Sequence, residues 1–164
     1  MTLPGLLGLL GLISACSANE PSGVSLTGMV YNYSQESYAW VKINGKTVGS
    51  AIKKVQPGSV SGGGGMCCFE LPVGATTVQV QLEPSIGQGF TTTAIVEKWW
   101  PDLAHYGVVH VLPGRKVVME GRSVETWPRQ DLMNSQLKAL GIEKALNYSG
   151  PMNTGPLART DGVK

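Results

Sequence analysis

Apolar and polar positions alternate with a period of two along most of this chain. Residues 76–82 show it most plainly: Val78, Val80 and Leu82 fall on one side, Thr77, Gln79 and Gln81 on the other, the mark of an antiparallel strand with one face in the core. The same alternation runs through residues 24–33. Residues 38–43 and 47–52 flank Asn44-Gly45, a pair suited to a tight hairpin because both turn positions take positive φ. A further strand is predicted over 91–96, ended by Trp99-Trp100 ahead of Pro101, since a residue before proline is pushed out of the helical region. Residues 105–112 and 115–120 flank Pro113-Gly114 and predict a second hairpin. Only residues 130–146 carry spacing near 3.6, through Leu132, Met133, Leu137, Leu140 and Ala145, with Asp131 as a capping residue and Gly141 as an early stop. Seven to eight short antiparallel strands and one C-terminal helix predict a mainly β fold, a β-sandwich or β-rich roll.

One stretch breaks the alternation. Gly62, Gly63, Gly64 and Gly65 precede Met66-Cys67-Cys68-Phe69-Glu70-Leu71-Pro72. Four glycines pay the highest ordering entropy of any residues and predict a loop, while the apolar run behind them predicts a short buried strand stopped by Pro72. Side chains of neighbouring strand residues point to opposite faces, so Cys67 and Cys68 are expected to be two structural thiols, one entering the core. A vicinal disulfide is the alternative, and the missing two-residue spacer of a Cys-x-x-Cys site disfavours a metal or redox role.

The first fifteen residues hold no charged side chain and form an apolar run too short to span a bilayer, which needs ~20 residues; they predict a signal peptide without the usual basic start. Ile13-Ser14-Ala15-Cys16 resembles a bacterial lipobox, which implies lipid attachment at Cys16. Ser17 stands where an aspartate would imply retention at the inner membrane. The expected location is therefore the outer membrane, facing the periplasm. The polar segment 16–25, with Pro21 and Gly23, reads as a tether, residues 26–146 as a single β-rich domain, and 147–164, with Gly150-Pro151 and Gly155-Pro156, as a tail that is poorly ordered or laid on the surface.

Composition narrows the function. A 164-residue chain with 42% hydrophobic and 15% charged residues suits one globular domain. The net charge of +2 is spread along the chain, which points away from nucleic acid. Its histidines, His105 and His110, lie five apart on one predicted strand and so face opposite sides; both read as structural. Gly58-Ser59-Val60-Ser61-Gly62 puts valine where a nucleophile elbow needs serine. No cofactor and no metal is expected, and binding is favoured over catalysis. Candidate partner contacts are Trp99, Trp100, Trp127 and Tyr106, as aromatic anchors, with Gly63 and Gly64 in a loop able to enter a cleft. Adjacent tryptophans on an extended segment cannot both face the core, which favours Trp100 for exposure.

The order Tyr31-Asn32-Tyr33, Val41-Lys42-Ile43-Asn44-Gly45, the glycine run, Cys67-Cys68 and Leu71-Pro72 resembles a family of small bacterial envelope lipoproteins over residues 26–131. Members of that family are often encoded beside type VI secretion phospholipase effectors. The resemblance implies an immunity protein that binds such an effector and is held to the membrane by its lipid. The alternatives are a structural or assembly lipoprotein of the envelope, and a sugar-binding module that uses the paired tryptophans.

Overall fold

The computed structural model describes residues 22–143 and 148–160. The signal-peptide and lipid-attachment readings, Cys16 included, lie outside the described residues, as do Ala145 and Leu146. Nine strands form one sheet: β1 (Gly23–Asn32), β2 (Tyr38–Ile43), β3 (Lys46–Ile52), β4 (Ser61–Gly62), β5 (Met66–Pro72), β6 (Thr77–Pro84), β7 (Phe90–Val96), β8 (Tyr106–Leu112) and β9 (Lys116–Arg122). They are followed by one helix, α1 (Gln130–Ala139). The fold is mainly β with a single C-terminal helix.

The sheet runs β3-β2-β6-β7-β9-β8-β1-β4, and β5 also pairs with β1. It is one sheet, rolled until β3 lies against β1 and β5, so the roll and not the two-sheet sandwich is what forms. Closure is tight enough that a Cβ on Gly28 of β1 would sit 2.5 Å from the Val48 Cβ of β3. Two pairings depart from the expected antiparallel order: β1 runs parallel to β8, and β7 parallel to β9. The ninth strand is β4, where Gly62 of the expected loop pairs with Tyr31.

Both predicted hairpins form. Asn44 and Gly45 take φ of 49° and 74°, which turns β2 directly into β3. Gly114 at φ 72° lies in a single 3-10 turn, Pro113–Arg115, that joins β8 to β9. In β6 burial alternates residue by residue, with Val78, Val80 and Leu82 inside. The inner face of the roll gathers Leu26, Val30, Phe69, Val109, Val111, Val117 and Met119.

Helix α1 ends at Ala139, with Gly141 just beyond at φ 70°. Its N-cap is Arg129, which makes no side-chain cap bond, so Asp131 does not cap it and instead falls in the first turn. Met133 and Leu137 pack with Met29, Tyr31, Tyr33 and Val108 on the outer face of β1 and β8. Residues 148–160 lie over the same region: Arg122 Nη2 donates to the Gly155 carbonyl (2.8 Å) and Arg159 pairs with Asp102. A second layer thus covers one side of the roll.

Candidate functional site: a cleft between the glycine run and Trp127

Tyr31 points outward from β1, and two segments rise on either side of it. On one side the glycine run crosses the strand edge. The Gly63 N–H donates to the Val30 carbonyl (2.8 Å), and Gly62, Gly63 and Gly64 have φ of 114°, 92° and 78°. These values favour glycine, and at Gly62 a side chain would also collide with the Val30 carbonyl. On the other side the chain climbs from the end of β9 toward α1. The Tyr31 hydroxyl donates to the Thr126 carbonyl (2.6 Å), and Asn153 Nδ2 donates to the Trp127 carbonyl (2.9 Å) and to Thr126 Oγ1. Between the two walls lies a cleft of about 450 Å³, which Tyr148, Glu125 and Pro128 also line. Trp127 is 55% exposed at its edge. Burial, with help from Tyr148 and Glu125, pushes the Tyr31 phenol up to about 12, so it stays a neutral donor.

Beneath the cleft is a buried polar network. His110 stacks on Tyr31 with ring centres 6.0 Å apart. Its Nδ1 lies 3.2 Å from the Tyr33 hydroxyl and its Nε2 3.0 Å from Glu120 Oε1. Arg122 Nη2 reaches the other Glu120 oxygen at 3.0 Å. Arg129, 1% exposed, spans Glu120, Glu97 and Asp131 with its guanidinium, and its backbone N–H donates to the Tyr33 hydroxyl (2.7 Å). Burial alone would raise the Glu120 carboxyl, but the hydrogen bond and charge of His110 and the Arg122 guanidinium hold it below the usual carboxylate range. Asp131 is also held low, since Arg129 outweighs the effect of its partial burial. Burial drives the Tyr33 phenol well above its ordinary value.

The line Tyr33–His110–Glu120 has the spacing of an acid–base relay, yet His110 is fully buried and both ring nitrogens are engaged. It braces the floor of the cleft and presents no group to solvent. His105 lies ahead of β8 and is exposed, so the two histidines do not share a strand.

Of the partner-contact candidates, Gly63, Gly64 and Trp127 come together in this cleft. Trp99 does not: it is buried at the core edge, with its indole N–H donating to the Ala75 carbonyl (3.1 Å). Trp100 is half-buried, with Lys98 Nζ 5.5 Å from its ring centre. Tyr106 is half-buried against the outer cluster on β8. Cys67 and Cys68 are bonded to each other in β5, Cys67 exposed and Cys68 half-buried, so the expectation of two thiols with one in the core is wrong. Their sulfurs are taken up in the bond between them, and the core position of this stretch goes to Phe69. Sequence reasoning missed Tyr31, Glu125 and Tyr148 in the cleft and the exposed Trp40 on β2. Tyr31 was legible as a strand residue, but its place beside the glycine run follows only from the β1–β4 pairing.

Compared with known proteins, the chain matches no family model, no curated protein and no solved structure.

Proposed function

We propose that this protein is a lipid-anchored, periplasm-facing immunity protein that neutralises a secreted antibacterial phospholipase by binding it. It performs no chemistry of its own in that role. The observation that carries the reading is the cleft. Its glycine wall is the segment on which the resemblance to the envelope lipoproteins rests, and it faces an exposed tryptophan. Hot spots of tight interfaces concentrate in such aromatic anchors, and glycine backbone leaves room for a partner's main chain to approach. A cleft walled by glycine backbone, phenols and an indole suits an inserted loop or strand of a protein more than a small charged metabolite. Lipid at Cys16 would hold this surface where a phospholipase attacks, raising its effective concentration there.

The test is co-expression with a periplasm-directed phospholipase, taken from the adjacent reading frame if one is encoded there. Wild-type protein is expected to prevent lysis, and Trp127→Ala, at equal abundance, to lose protection. Lysis despite full expression of the wild type, or protection undiminished in the variant, removes this reading.

A further inference from the structure

Ser22, the first described residue, stands at the foot of β1, where its carbonyl accepts from the Val73 N–H (3.0 Å). Five residues separate Ser22 from Cys16. At ~3.3–3.6 Å per residue the six links between them reach about 20 Å at most. If Cys16 carries lipid, this end of the roll is therefore kept close to the bilayer. The same end displays an indole and apolar surface. Val73, 45% exposed, lies on the turn after β5. The loop after β7 is tied to that turn by the bond from Trp99 to Ala75, and it carries the half-buried Trp100 and Leu103 with Lys98 beside the indole. Asp102 at this end is paired with Arg159, and Glu70 is exposed beside Gly23.

We infer that this end is a membrane-docking surface in which Trp100 sits among phospholipid headgroups and Lys98 reaches their phosphates. Tryptophan settles at the headgroup level because its ring is apolar and its N–H polar, and a lysine stem lies along apolar surface while its ammonium stays with phosphate or water. A link of at most about 20 Å keeps this end within reach of the headgroups, and Trp100 is its large, partly exposed aromatic side chain. The inference fixes an orientation. Gly62 pairs with Tyr31, eight residues along β1 from Gly23, so the cleft lies at the opposite end of β1, up to about 26 Å further from the bilayer at ~3.3 Å per residue.

The inference rests on the lipid-anchor reading, and the experiment separates the two. Full-length protein bearing its anchor is placed in phosphatidylethanolamine and phosphatidylglycerol vesicles with brominated acyl chains, and indole quenching is read. Palmitate label at Cys16, lost in Cys16→Ser, confirms the anchor; absence of label overturns anchor and docking surface together. With label present, Trp100→Phe is expected to at least halve the quenched fraction, while Trp127→Phe and Trp40→Phe leave it unchanged. Quenching that survives Trp100→Phe, or disappears in Trp127→Phe, overturns the docking surface and leaves the anchor standing. Should Trp100→Phe alter the near-UV circular dichroism, Lys98→Glu is read instead: reduced quenching supports the surface and unchanged quenching overturns it.

Discussion

Strands β1, β8 and β9 present two faces that hold together by different physics. Inward they offer Leu26, Val30, Val109, Val111, Val117 and Met119, whose burial stabilises by about 25 cal/mol per Å² with little regard to direction. Outward, beside the apolar Met29 and Val108, the same strands offer Tyr31, His110, Glu120 and Arg122, with Tyr33 just past the end of β1, and the hydrogen bonds and charges of these polar groups hold only in one arrangement. The inner face closes the roll. The outer face fixes the chain from the end of β9 to α1, and with it the wall that carries Trp127. An apolar layer could cover the sheet equally well, but it would locate Trp127 less sharply. Polar specificity sits on the side that carries the cleft.

The largest expected effect breaks the outer face alone. Arg129→Ala leaves the Glu120 carboxylate buried with one guanidinium fewer and frees Glu97 and Asp131. Removal of one partner from a buried ion pair typically costs about 3–5 kcal/mol, read here by urea denaturation, with the loss of protection from amide exchange concentrated in α1 and residues 148–160. Glu120 and Asp131 are held below their unfolded values in the wild type. Their contribution is present above the unfolded carboxylate range near pH ~4 and is lost as pH falls through the folded values. Acid should therefore weaken the wild type more than the variant, in which Asp131 has lost the guanidinium that holds it low while Glu120 keeps His110 and Arg122.

A smaller effect tests the inner face. Gly28→Ala puts a Cβ within 3.0 Å of the Val48 Cα as well as against its Cβ, so truncating Val48 cannot relieve it. Overpacking of this kind costs about 1–3 kcal/mol; a neutral outcome would show that β1 and β3 are less closely apposed than described. The smallest change is Tyr31→Phe, which deletes the bond to the Thr126 carbonyl and should cost about 0.5–1.5 kcal/mol. Because the Tyr31 phenol is raised to about 12 in the fold, its contribution is full below the unfolded value of ~10 and is lost as pH rises through 12. The variant should therefore lose stability less steeply over that alkaline window, a difference that thermal melts at fixed pH would resolve.

Legibility followed the range of the interaction. Period-two alternation and turn residues located the strands, as in β6 and the Asn44-Gly45 hairpin, because both signals are local. Parallel pairing of β1 with β8 leaves no local mark, since alternation says which face a residue takes and not which strand lies beside it. Glycine content hid β4: Gly62 joins the sheet because it can take a φ that others cannot, the same property that argued for a loop. At the cleft, Gly63, Gly64 and Trp127 were each visible as unusual residues, yet their meeting depends on the buried Arg129 network, and no spacing rule links Glu97, His110, Glu120 and Arg129 in advance. The cysteine pair was misread because alternation assigns side chains to faces and does not register a bond between sequence neighbours.

The place of β1 in the sheet also governs when the molecule can form. The strand made first during synthesis is flanked in the finished sheet by β4 and β5 on one side and by β8 on the other, so its last neighbour arrives only after residue 112 has emerged. Contacts of such long sequence separation assemble slowly. A nascent chain of this kind cannot close its roll around β1 until β8 has been made, however early the hairpins form.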